Sequence, residues 1–246
     1  MPKALVLFFL KISEIKLILY YYNIMKILKI FASQWGKFIE HVQDILVPEN
    51  IRVRKLLGLP AGIMRDLLPK SPVYIKDIFV LFDYQNKVVR LIVKSIKYKN
   101  NSGLRKRLAG YLYEEIMDIS SDIALFEGMP PLLVPMPMGK IEKRKRGFNQ
   151  CEELVREIKK LGGDNIEVSY NTLKKVRETK RQTELSREER EENVKNSMCA
   201  FLKNGTAAKT VIILDDVYTT GASLSEARRA LLSAGFHRVI GLFIAH

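Results

Sequence analysis

The stretch Val211-Ile212-Ile213-Leu214-Asp215-Asp216-Val217-Tyr218-Thr219-Thr220-Gly221-Ala222-Ser223 decides how the rest of the chain is read. Val211 to Leu214 is a continuous apolar run, the signature of a parallel strand covered on both faces. Asp215 and Asp216 stand where that strand is expected to end. Thr219 to Ser223 then supplies hydroxyls, small side chains and one glycine ahead of a helical pattern, with Leu224, Ala227, Ala230, Leu231 and Ala234 on one face and Gly235 as its stop. Arg238 to Ala245 reads as the next strand. The unit is strand, loop, helix, strand, which predicts an α/β fold with a parallel sheet.

Small residues at a helix N-terminus let backbone N–H groups converge on a phosphate, and the hydroxyls of Thr219, Thr220 and Ser223 add donors. An acidic pair beside such a nest repels a polyphosphate. It suits a phosphate joined to a sugar, with the carboxylates accepting bonds from ribose hydroxyls. The plainer alternative is a strand–turn–helix with surface aspartates. The acidic pair, the Thr-Thr-Gly and their strand and helix context coincide, however, and together they resemble the phosphoribosyl-pyrophosphate loop of type I phosphoribosyltransferases.

The chain has 246 residues, 47% of them hydrophobic, enough for one α/β domain with an appendage. Forty-one Lys and Arg against 27 Asp and Glu give a net charge of +14. That excess points to polyanionic ligands or partners, or else to a Lys-rich and Ile-rich composition in general. The two cysteines, Cys151 and Cys199, form no Cys-x-x-Cys pair, which excludes a disulfide framework and a cysteine zinc ribbon and fits a reducing cytoplasm.

Residues 1–31 are apolar but interrupted by charge. Their longest uncharged run, Leu17 to Met25, is nine residues, well short of the roughly 20 that span a bilayer, so no integral membrane span is expected. Met25 is an alternative natural start. Ile27 through Leu46, with Trp35 and Phe38, predicts an amphipathic helix ended by Pro48. Residues 47–76, with four prolines, read as a loop-rich connector holding one short helix at most. This places an N-terminal helical extension at 1–76 and the α/β domain at 77–246.

Within that domain, Ile78 to Phe82 reads as a strand, and Val88, Leu91, Ile92 and Ile96 as a helical stripe. A second helix follows from Leu104 to Ile119. Leu132 to Val134 begins a buried strand that leaves through Pro135-Met136-Pro137-Met138-Gly139 into the basic segment Lys140 to Arg146. Asn149 caps the next helix, with Glu152 three residues on in capping-box spacing, and Cys151 falls on its core face. Residues 166–176 read as one strand. A polar segment through Gln182, Arg190 and Asn193 then reads as a flap outside the sheet, with a short helix opening after Ser186.

Two further motifs narrow the resemblance. Val134-Pro135-x-Pro137 followed by Arg144-x-Arg146-Gly147-Phe148-Asn149-Gln150 is similar to the ComF-type branch of phosphoribosyltransferase-like proteins. So is Arg177-x-Thr179-x-x-Gln182-x-x-Leu185-Ser186-x-x-x-Arg190-x-x-Asn193-Val194. Lys97-Tyr98 also fits. The likeness covers roughly residues 78–246. One departure stands out: members carry an N-terminal cysteine zinc ribbon, and here residues 25–76 occupy its place without cysteines.

The resemblance implies a ligand, 5-phosphoribosyl pyrophosphate carried with Mg²⁺, and transfer of its phosphoribosyl group to an acceptor. It assigns Asp215 and Asp216 to the ribose hydroxyls, and the loop Val217, Tyr218, Thr219, Thr220, Gly221, Ala222 and Ser223 to the 5′-phosphate. Pro135, Met136 and Pro137 take the pyrophosphate side. Arg144, Arg146 and Arg177 are the candidates for neutralising the leaving group, and Gln182, Arg190 and Asn193 belong to the flap. No side chain is expected to bind the metal alone. The alternative from another class is a single-stranded-DNA adaptor, with Phe148 beside Arg144 and Arg146 stacking a base. For that role the implied partners are single-stranded DNA or a competence helicase, with a homodimer as the candidate assembly.

Overall fold

A computed structural model describes residues 49–179, 187–202 and 210–246. In chain order its main elements are helices α1 (Glu49–Gly58) and α2 (Ala61–Asp66), strand β1 (Ile78–Phe82), helices α3 (Lys87–Lys99) and α4 (Ser102–Glu127), and strand β2 (Leu132–Pro135). Helices α5 (Lys140–Arg146) and α6 (Gln150–Gly162) come next, then strands β3 (Glu167–Val168) and β4 (Leu173–Lys175). Helix α7 (Arg187–Val194), strands β5 (Met198–Ala200) and β6 (Thr210–Val217), helix α8 (Ala222–Ser233) and strand β7 (Arg238–Ala245) complete the chain. The helix expected over 27–46, with Trp35 and Phe38, lies outside the described residues, as does Gln182.

Five strands pair in the order β1-β7-β6-β2-β3, each neighbour parallel to the next. The apolar run of β6 explains its central place. Ile212 and Leu214 face one hydrophobic layer, built with α3, α4 and α6 residues such as Ile92, Leu108 and Leu154. Val211 and Ile213 face the other, with Leu224, Ala227 and Leu231 of α8. Successive side chains of a strand point to opposite faces, so a strand covered on both sides must be apolar at every position. This is the parallel α/β sheet flanked by helices that the strand–loop–helix–strand pattern predicted.

Strand β6 runs past Leu214 to Val217, so the acidic pair lies within the strand and not after it. The cause is β7, which continues alongside and pairs Asp215 with Phe243 and Val217 with Ala245, keeping the backbone groups of β6 satisfied.

Two other expectations are corrected. Residues 166–176 form two strands, because Ser169-Tyr170-Asn171-Thr172 turns the chain. The Ser169 hydroxyl oxygen accepts from Asn171 N at 3.4 Å and from the Thr172 hydroxyl at 2.8 Å. β3 stays at the edge of the main sheet, while β4 pairs antiparallel with β5 in a separate hairpin. The connector holds two helices where one at most was expected, and residues Val53–His246 form one compact unit. Val53, Met64 and Leu68 are buried in its core. The basic segment 140–146 is a helix, closed by Gly147 in the left-handed region at φ +85°.

Candidate functional site

The register of the sheet sets the site. Pro135 pairs with Leu214, so β2 ends level with the start of the acidic pair. Met136 N donates to Leu214 O at 2.9 Å, which carries the turn 136–139 along the flank of β6. Asn149 fixes that turn from the other side. Its side-chain oxygen caps α6 by accepting from Cys151 N at 2.9 Å, and its amide nitrogen donates to Met136 O at 2.9 Å. Glu152 does not complete a capping box, since its carboxylate takes the Lys143 ammonium at 2.9 Å.

Asp215, Asp216, the turn 136–138 and most of the loop after β6 line one cleft of about 600 Å³ at the C-terminal ends of β6 and β2. Ligands of open α/β sheets bind at that end. Lys97, Arg146, Gln150, Lys175 and Glu178 line it too.

Asp216 is 5% exposed and well partnered. Its Oδ2 accepts from Gln150 Nε2 at 2.8 Å and lies 2.9 Å from Lys97 Nζ. Lys97 holds its proton beyond the ordinary lysine range: burial opposes the charge, but the Asp216 carboxylate outweighs it. Arg146 Nη1 in turn donates to Gln150 Oε1 at 2.5 Å, pairs with Glu142, and lies over the Tyr98 ring at 5.3 Å. A polar chain therefore runs from the basic helix α5 through Gln150 to Asp216 and Lys97.

Asp215 behaves differently. Its Oδ1 accepts from Asp216 N at 2.8 Å and faces the Cys151 thiol at 3.5 Å. Burial, reinforced by the neighbouring Asp216 charge, pushes its pKa up to about 7. The Cys151 thiol is itself pushed well up by burial and by both aspartates, so it is an inert core group, in line with its place on the apolar face of α6.

The loop is shaped by one glycine. Gly221 sits at φ +78°, immediately before α8, and a Cβ there would meet the Tyr218 hydroxyl at 2.9 Å. Tyr218 is held by an edge-on contact with Phe243, ring centroids 5.0 Å apart, and by its own N–H donating to Ala245 O at 2.8 Å. Thr219 is exposed, and Thr220 and Ser223 are half-buried around the helix start.

The arginines separate. Arg146 lines the cleft. Arg144 is exposed and is not part of the cleft wall. Arg177 is not part of it either: its Nη2 donates to Asn193 O at 3.0 Å and Lys195 O at 2.7 Å, tying together the two sides of the flap. Asn193 supplies that carbonyl, and Arg190 lies in α7. Two cleft groups have no role that the sequence alone assigns. Gln150 falls within a motif as its last residue, and Lys175 carries no signal beyond its place in the strand pattern.

Among the described residues no helix is long and apolar enough to cross a membrane. No family model matches the chain. It is 27% identical over 165 residues to a competence protein F of Haemophilus influenzae, a match covering 66% of this chain and 70% of that one. It is 29% identical over 208 residues to a DNA utilization protein YhgH of Salmonella typhimurium, covering 82% and 87%. A competence protein ComFC of Bacillus subtilis is 33% identical over 106 residues, 42% of this chain and 39% of its own. Among solved structures, an L. donovani hypoxanthine-guanine phosphoribosyl transferase is similar at TM-score 0.35 and 11% identity, over 56% of this chain and 67% of that one. A Staphylococcus aureus hypoxanthine phosphoribosyltransferase is similar at TM-score 0.32 and 12% identity, over 55% and 62%. The ordered motifs, the parallel sheet that carries them and the competence and DNA-utilization relatives agree, and the chain is similar to the ComF-type phosphoribosyltransferase-like proteins.

Proposed function

We propose that the cleft binds 5-phosphoribosyl pyrophosphate with magnesium and presents its anomeric carbon to an acceptor. The observation that carries this reading is the convergence of Asp215, Asp216, the 136–138 turn and the loop before α8 on one cleft. Asp215 and Asp216 accept from the ribose hydroxyls. Among the described residues both partners of the Asp216 carboxylate fall on Oδ2, so Oδ1 has lone pairs for a ligand. The loop residues 219–223 hold the 5′-phosphate, with backbone N–H groups and hydroxyls at the start of α8.

Cleavage of the anomeric carbon–oxygen bond builds positive charge on the sugar and negative charge on the departing pyrophosphate. The cleft's contribution is positioning and fixed electrostatics: carboxylates below the sugar, cations toward the pyrophosphate. The donor chemistry suits a magnesium ion carried by the ligand, because Mg²⁺ keeps several waters and takes phosphate oxygens readily. When bound it neutralises pyrophosphate charge.

A second reading, a single-stranded-DNA adaptor, has its own support in the relatives named for competence and DNA utilization and in the exposed Lys140, Arg144 and Lys145 on α5. The test is a pair of calorimetric titrations, one with magnesium phosphoribosyl pyrophosphate and one with a single-stranded oligonucleotide. Saturable binding of the first supports the ligand reading. Binding of the oligonucleotide alone supports the adaptor, provided that Arg144→Ala makes the salt slope shallower by about 0.7, the share of one phosphate on a single strand.

A further inference from the structure

Among the described residues four cationic side chains line the cleft: Lys97, Lys145, Arg146 and Lys175. Lys97 is committed to Asp216, and Arg146 to Glu142 and Gln150. Lys145 is exposed on α5. Lys175 is half-buried, and its ammonium donates to the neutral Thr179 hydroxyl at 2.6 Å, with no carboxylate within ion-pair distance among the described residues. An ammonium has three donors, so two are left to meet something in the cleft.

Its position follows from strand alternation. In β4, Leu173 is buried, Lys174 turns outward over the Phe201 ring at 5.3 Å, and Lys175 returns to the inner face. There the hairpin partner is Met198, which is also buried. Two residues later the chain has left the strand, and Arg177 is turned to the carbonyls of Asn193 and Lys195. The nearby Glu178 does not neutralise Lys175. Its carboxylate accepts from Ile141 N at 3.1 Å and lies against Gly139.

We infer that Lys175, the last residue of β4, is a binding residue of the cleft, an ammonium that holds the anionic pyrophosphate end of the ligand in the role expected of Arg177. The inference rests on the phosphoribosyl pyrophosphate reading above. Burial lowers the pKa of Lys175 while the Glu142 and Glu178 charges oppose the fall, which accords with a cation still lacking a close counter-ion.

The experiment compares two ligands in the full chain by calorimetry: magnesium phosphoribosyl pyrophosphate and ribose 5-phosphate, which lacks the pyrophosphate. Lys175→Met should weaken the first by roughly tenfold to hundredfold, the size of one charge-assisted hydrogen bond, and leave the second within about twofold. Lys175→Arg should retain most of the affinity for the first, and both variants should melt close to wild type. Equal weakening of both ligands makes Lys175 a structural residue and overturns the inference, as does an unchanged affinity for the pyrophosphate ligand. Failure of the wild type to bind either ligand is a different result, which removes the parent reading and this one with it.

Discussion

Lys97, near the end of α3, and Asp216, near the end of β6, form an ion pair at 2.9 Å, with the Asp216 side chain 6% exposed and the Lys97 side chain 27%. The pair joins the edge of the helical layer to the middle of the sheet, and Gln150 completes it from α6 at 2.8 Å. Asp216 is thereby fixed before any ligand arrives, which is the preorganisation that the proposed ribose site requires.

Removing one partner of a buried pair leaves the other charge uncompensated, at a cost of about 3–5 kcal/mol. Because Lys97 is partly exposed and Gln150 still donates to Asp216, Lys97→Met should fall at or below the lower end of that range. Adding Asp216→Asn should recover part of the loss, since the orphaned charge is then gone. Chemical denaturation of the two single variants and the double variant measures the coupling. Additive losses would show that the pair contributes nothing beyond its separate parts.

Much of this is legible in the sequence, because it depends on local pattern. The apolar run of β6, the Gly221 turn and the Asn149 cap each have a periodic or short-range signature. What is not legible depends on register between distant elements. Nothing near Lys97 says that its ammonium meets Asp216. Nothing near Arg177 says that it will serve two flap carbonyls while Lys175, two residues earlier, turns into the cleft. The single strand expected at 166–176 fails for a local reason: the side-chain hydrogen bonds of Ser169 and Thr172 favour a turn over a β ladder.

The acidic pair also predicts a pH dependence. Asp215 has its pKa raised from 3.8 to about 7 in the folded protein, by burial first and by the Asp216 charge second. Between those values the native state holds a proton that the unfolded chain has released. Stability from this group is therefore full below about pH 4 and is lost as pH rises toward 7, with little further change above. Asp215→Asn, which carries no titrating proton, should flatten this part of the profile. Urea denaturation at intervals from about pH 5 to 8 checks it. Parallel profiles for wild type and variant would remove Asp215 as the titrating group.

Gly221→Ala tests the loop. The left-handed backbone at φ +78° costs a non-glycine residue about 1–2 kcal/mol, and the new methyl would also press on the Tyr218 hydroxyl. A melting temperature lower by roughly 2–8 °C is expected, at about 2–4 °C per kcal/mol for a domain of this size. Affinity for the phosphate-bearing ligand should fall as well, because the helix start carries the proposed 5′-phosphate site. A variant that melts and binds like wild type would show that the loop geometry is not constrained by this glycine.

The most direct test of the phosphoribosyl pyrophosphate site is a calorimetric titration of that ligand with magnesium into the full chain and into the Asp215→Asn, Asp216→Asn double variant. The variant loses a charge-assisted hydrogen bond at Asp216, at about 1.5–3 kcal/mol, and a weaker one at Asp215, whose raised pKa leaves it partly protonated near neutral pH. Saturable one-site binding to the wild type is predicted, with affinity at least roughly tenfold weaker in a variant that still shows a cooperative melting transition. Wild-type protein that does not bind the ligand, or a folded variant that binds it equally well, would contradict the ribose assignment and the site built on it.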